Sequence, residues 1–161
     1  MGMHELSALL WRERELLEIL LFKLEEEQLL LSAGKTRWLK RATKETEHIT
    51  GLISDLGLAR SVEVAAVASE WGAEEDASLR DLIAKSPDGV WGDILESHLK
   101  GFVHLVAQIQ VVRDDNVQLL RAANRATQET IANLNIAPST YDARGFASPG
   151  PDGGRLLDEE V

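Results

Sequence analysis

Residues 89–134 read GVWGDILESHLKGFVHLVAQIQVVRDDNVQLLRAANRATQETIANL and contain no proline. Within them Trp91, Leu95, Leu99, Phe102, Val106, Ile109, Val112, Asn116, Leu119, Ala123, Thr127, Ile131 and Leu134 follow one another at steps of three or four. That period belongs to one face of an α-helix. A single helix through the stretch would be roughly 70 Å long at ~1.5 Å per residue. A compact domain of this size needs nothing so long, so the stretch predicts a rod that packs along other helices or protrudes from them. Asp88, after Pro87, is a suitable N-cap. Gly92 and Gly101 each cost ~1 kcal/mol relative to Ala inside a helix and mark the expected places for a kink.

Upstream, the other long proline-free stretch opens with a second apolar stripe. Met3, Leu6, Leu10, Glu13, Leu17, Leu20, Leu24, Glu27 and Leu31 again alternate steps of three and four, and all but the two glutamates are apolar. Arg12, Glu15, Glu18, Glu25 and Glu26 supply a solvated face, and the first helix is expected over about 4–32. Gly34 in Ser32-Ala33-Gly34 can take the left-handed conformation that ends a helix, and Thr36 can cap the next. Trp38, Ala42, Ile49, Leu52, Ile53 and Leu56 then repeat at helical spacing up to Gly57, which reads as another C-terminal stop. The second helix is therefore expected over 36–56. Residues 58–87 read as a solvated connector of short helices, with Ser61 capping Val62–Trp71 and Asp76 capping a segment with Leu79, Leu82 and Ile83.

Beyond Pro138 the composition turns to Gly and Pro, with Asp158-Glu159-Glu160 near the end. Such a segment has too little apolar surface to offset its ordering entropy. The expected fold class is all-α: an elongated antiparallel three-helix bundle or coiled coil with short connector helices and a very long last helix. The bundle spans 1–135, and 136–161 is a flexible, disordered tail.

Composition narrows the function. The chain of 161 residues carries 27 acidic and 17 basic side chains, a net charge of −10 with neutral histidines. That balance argues against general nucleic-acid binding, which needs Lys and Arg to replace condensed counterions. The absence of Cys excludes disulfides and thiolate chemistry. It is also compatible with a cytoplasmic location. Charges interrupt every apolar stretch before it could span a bilayer, and the first residues lack a basic region followed by an apolar core, so no membrane insertion is expected.

Catalytic constellations are missing from the pattern. His98 and His104 lie about 240° apart on a helix at roughly 100° per residue, too far round to share a metal. Glu45-Thr46-Glu47-His48 holds one Glu-x-x-His, whereas di-iron bundles use two. Gly89-Val90-Trp91-Gly92 lacks the Lys-Ser/Thr ending of a phosphate loop. The reading is a non-enzymatic chain with no catalytic residues, no metal and no cofactor.

Three features invite a binding role. Lys35, Arg37, Lys40, Arg41 and Lys44 form a basic run without an intervening acid; they either balance the Glu-rich face of the first helix or dock an acidic partner. Asn116 interrupts the stripe of the long helix, as a polar residue that fixes register does, or as one that touches a client does. Ser139-Thr140-Tyr141-Asp142-Ala143-Arg144-Gly145 places the sole tyrosine in the tail, where it either folds back onto the bundle or anchors a partner pocket.

The order of these parts resembles the FlgN family of bacterial flagellar export chaperones. The resemblance runs from Leu24-Glu25-Glu26-Glu27-Gln28-Leu29, through Lys44-Glu45, to Arg113-Asp114-Asp115-Asn116-Val117-Gln118-Leu119-Leu120. It closes on a Pro138 to Gly145 segment similar to the family's Pro-x-x-Tyr-x-x-x-Gly tail, and it covers about residues 4–146. Val117 departs from the family pattern where Gly is common, as does the acidic ending. The resemblance implies a cytoplasmic chaperone for the hook–filament junction proteins FlgK and FlgL during type III export. It implies client binding at Asn116, Leu119, Leu120, Ala123, Thr127, Ile131 and Leu134, and docking at the export-gate protein FlhA through Tyr141. The competing reading is a homodimeric coiled-coil adaptor that pairs the same stripe with its own copy.

Overall fold

The computed structural model describes residues 2–136. The tail expected over 136–161, Tyr141 included, lies outside the described residues apart from Ile136. Four α-helices follow in order: α1 (Gly2–Ser32), α2 (Leu39–Trp71), α3 (Leu79–Lys85) and α4 (Val90–Ile136). A 3-10 turn, Thr36–Trp38, precedes α2. The described residues are all-α, as expected, with the very long last helix uninterrupted through Gly92 and Gly101. The chain divides into two units, 1–119 and 120–161.

In the first unit α1 and α2 run antiparallel. Gly2 lies beside Val67, Glu13 meets Arg60 and Lys23 meets Glu45, so the partner number falls as the α1 number rises. α4 runs parallel to α1, with His4 against Trp91, Trp11 against His98 and Leu24 bonded to Asn116. This is an up-down-up bundle, with α3 in the return connection. The core joins Met3, Leu6, Leu10 and Leu17 of α1 to Val64, Val67 and Ala68 of α2, Leu82 of α3, and Leu95, Phe102 and Leu105 of α4. In the second unit, α4 continues from Leu120 to Ile136, with the Thr127 and Thr130 hydroxyls donating to the carbonyls of Ala123 and Ala126.

Three expectations need correction. Gly57 does not end the second helix, and 58–71 is not a solvated connector: α2 runs through both to Trp71. A glycine costs the helix ~1 kcal/mol, whereas burying a single Val side chain contributes about 1.5–3 kcal/mol, and the residues past Gly57 place Val64, Val67 and Ala68 in the core. The actual stop is Gly72, at φ +68°. Neither Thr36 nor Asp76 is the cap. Trp38 precedes α2 without a side-chain cap, while Ser78 and Asp81 form a reciprocal capping box on α3. Gly34 does end α1: at φ +67°, it donates to Leu31 O while Lys35 N donates to Leu30 O, the paired bonds of a Schellman motif.

Candidate functional site

The face of α4 that meets α1 and α2 is built from Leu95, His98, Phe102, Leu105 and Asn116, all buried. Leu105 turns inward where the spacing had placed Val106, which is exposed. His98, only 1% exposed, sits edge-on to Trp11 at 5.0 Å between ring centroids and stacks near Phe102 at 6.4 Å. Among the described residues neither ring nitrogen has a hydrogen-bond partner. Burial, seconded by the nearby Arg14 charge, therefore holds the His98 pKa below its ordinary value. Arg14 lays its guanidinium over Trp11 at 4.8 Å. It also crosses α4 at Gly101, where a Cβ would lie 2.7 Å from the Arg14 side chain. Gly101 thus admits Arg14 to the α1–α4 seam.

Glu13 is the polar member of the α1 stripe, and it is buried. Both its oxygens accept from Arg60 Nη1 at 2.9 Å. Desolvation still outweighs that cation and raises the Glu13 pKa. At the other end of the α1–α2 seam Lys23 donates to Glu45 at 2.9 Å, which lowers the Glu45 pKa. These two bridges join α1 to α2 without the basic run. The reading that Lys35–Lys44 balance the Glu-rich face of the first helix is therefore corrected: among the described residues the run contributes only Arg41, to Glu45 within α2 at 3.6 Å.

Of the expected client-binding residues, Asn116 and Leu119 lie in the first unit and Leu120, Ala123, Thr127, Ile131 and Leu134 in the second. Taken from Leu119 at ~100° per residue, Asn116, Leu120, Ala123, Thr127, Ile131 and Leu134 all fall within about 120° of arc. Their burial is graded. Asn116 is 6% exposed and donates from Nδ2 to Leu24 O at 2.9 Å, which ties α4 to α1 in one register. Its amide nitrogen is thus engaged within the fold, as the register-fixing reading requires, while Oδ1 is buried without a partner among the described residues. Leu119 and Ala123 are half-buried. Leu120, Ile131 and Leu134 are 39%, 52% and 61% exposed. Thr127 is exposed too, but its hydroxyl is bonded to the helix backbone. In the first unit Asn116 is the last buried residue of the stripe, and in the second Ala123 alone of the expected residues is half-buried while the others are exposed. Tyr141 lies outside the described residues.

A second apolar line was not anticipated. Trp11, Phe22 and Leu29 are exposed on α1. Their spacings of eleven and seven bring them within about 20° of one another, so the period was present in the sequence but masked by the glutamates between them. Among the described residues, no helix is long and apolar enough to cross a membrane.

A family model described as FlgN protein matches residues 1–149. Neither a curated protein nor a solved structure matches the chain.

Proposed function

The chain belongs to the FlgN family, a family of flagellar export chaperones, and on that premise we propose that it holds a helical terminal segment of FlgK- or FlgL-like hook–filament junction proteins in the cytoplasm. The segment lies on the α4 stripe at Leu119, Leu120, Ala123, Thr127, Ile131 and Leu134, with Asn116 setting the register of the helix that presents it. Tyr141 then docks the complex at the export gate, on FlhA. The observation that carries this reading is the exposed apolar surface of the second unit. Leu95, His98, Phe102, Leu105 and Asn116 of α4 are buried in the first unit, and in the second Leu120, Ile131 and Leu134 are open to solvent. Exposed apolar surface of this kind marks interaction sites, and an amphipathic client helix covers such a stripe by the helix-in-groove mode.

Binding of this kind asks for no catalytic group. The client buries its own apolar face and stays soluble, and a competing contact at the gate shifts the equilibrium toward release. Co-purification with junction proteins from the same genome, followed by light scattering on the eluted complex, tests the proposal. A discrete complex that is lost in Ile131→Glu, with helicity retained, supports it. A stable homodimer that ignores every junction protein overturns it in favour of the adaptor.

A further inference from the structure

The corner between α1 and α2 carries charge that the fold does not use. Lys35, Arg37, Lys40, Arg41 and Lys44 are all exposed, with no acid between the first and the last. Among the described residues Lys35, Arg37, Lys40 and Lys44 form no ion pair. Arg41 reaches only Glu45, at 3.6 Å, and that carboxylate is already held by Lys23 at 2.9 Å. Trp38 stands among these cations 46% exposed, with the Arg37 guanidinium 5.1 Å from its ring centroid. Farther along α2 a shallow groove is lined by Lys23, Arg41, Lys44, Glu45, His48 and Ile49. Lys40, Arg41, Lys44 and His48 fall within about 100° of arc on α2, with Glu45 and Glu47 flanking that arc on either side.

The cations also stand where a helix tolerates them least. The first turn of α2 contains no acid and receives no side-chain cap, so Lys40 and Arg41 add positive charge to the positive end of the helix dipole. Their placement opposes local stability and requires another account.

We infer that this corner is a docking surface for an acidic segment of a partner protein, whose carboxylates pair with Lys35, Arg37, Lys40 and Lys44 while an apolar residue covers Trp38. Charge complementarity sets the class of partner. The chain carries a net charge of −10, and Glu25, Glu26 and Glu27 lie near the end of α1. A nucleic acid or an anionic bilayer extends farther than the Debye length of about 8–10 Å and meets those carboxylates. A short peptide can lie along the 35–44 segment, which holds no acid, clear of Glu45 and Glu47 beyond it. The inference does not rest on the chaperone reading, since the surface shares no residue with the α4 stripe.

The test uses the full chain and a fluorescent peptide of alternating Glu and Leu. Its counterpart with every Glu replaced by Gln and every Leu kept, a single-stranded oligonucleotide and phosphatidylserine vesicles serve as competitors. The acidic peptide is expected to bind, with affinity falling as salt is raised. Lys40→Glu combined with Lys44→Glu should weaken it about tenfold or more, a change of 1.4 kcal/mol or greater, and Trp38→Ala should weaken it several-fold. Lys40→Glu places an acid in the first turn of α2, where it is favourable, so the melting temperature should hold or rise and unfolding does not explain the loss. Ile131→Ser should leave this binding intact, which separates it from the client stripe. Equal binding of the Gln peptide, survival of binding in the double variant, loss of binding in Ile131→Ser, or tighter binding of the oligonucleotide or the vesicles overturns the inference.

Discussion

Glu13 occupies a place in α1 where the spacing of Met3, Leu6, Leu10 and Leu17 calls for an apolar side chain, and Arg60 is what makes it tolerable there. Removing one member of a buried pair strands the other, whereas replacing the charge with an apolar residue of similar size is often neutral or stabilising. Arg60→Ala should therefore destabilise the fold by about 1–3 kcal/mol, the cost of leaving a buried polar group unpaired, while Glu13→Leu should cost less or stabilise. Urea unfolding of the two variants checks the order, and a larger loss in Glu13→Leu would refute it. His98 makes a pH-dependent counterpart. Its folded pKa lies below the ordinary 6.5, so the unfolded chain binds the proton first as the pH falls. Stability is then full above about 6.5 and is lost as the pH drops through the depressed folded value. Glu13 acts in the opposite sense at lower pH, because its raised pKa lets the folded state take the proton first, but it is common to both chains being compared. His98→Leu should flatten the decline in stability just below pH 6.5, measured as urea midpoints across that range. An unchanged slope would mean that His98 does not titrate with unfolding. The sequence disclosed Glu13 as an interruption of the stripe. It did not disclose Arg60, because a partner on another helix leaves no mark in the local period.

At the scale of elements, glycines separate what local patterning shows from what packing decides. Gly34 and Gly72 each follow the last turn of a helix at positive φ, and Gly57 looks the same on paper. Gly57 nevertheless lies within α2 with open space around the position of a Cβ. Gly57→Ala should stabilise the chain by about 0.5–1 kcal/mol through helix propensity and reduced chain entropy. Gly72→Ala should destabilise it by about 1 kcal/mol, because an L-residue is disfavoured in the left-handed conformation. Thermal unfolding of the pair distinguishes them, and shifts of the same sign would refute the account. The first helix and the long last helix were legible to within a few residues because their stripes are long and strongly periodic. The continuation of α2 was not. Its acidic outer face resembles a linker, and only the presence of Met3, Leu6 and Leu82 opposite Val64 and Val67 turns it into core. The inward turn of Leu105 in place of Val106 has the same origin, since both fit a three-or-four step and the packed neighbours select one.

For the molecule as a whole, holding a client and reaching the export gate should be separable by mutation, because the reading assigns them to different residues. Leu105 and Leu120 both belong to α4, but Leu105 is buried in the bundle and Leu120 is not. Leu105→Glu forces a charge into the core and should unfold the bundle. Leu120→Glu should keep the helical signal and the unfolding midpoint while abolishing capture of the junction protein. The order of parts that resembled the FlgN family was legible because it depends on helices, breaks and a tail motif in succession, and the family model matches residues 1–149. Which residues of the α4 stripe are open was not legible, since the three-or-four spacing runs unchanged from Trp91 to Leu134 and only burial distinguishes Phe102 or Leu105 from Ile131 or Leu134. Tyr141 supplies the complementary experiment. If the tail docks the loaded chaperone, Tyr141→Ala should bind the junction protein with wild-type affinity yet lose about tenfold or more in affinity for the cytoplasmic part of FlhA, the effect expected when an aromatic anchor is truncated. Pull-down of FlhA by the preformed complex measures this directly. Equal recovery with Tyr141→Ala and wild type would remove the tail from gate docking, while a parallel loss of client would place Tyr141 at the client surface instead.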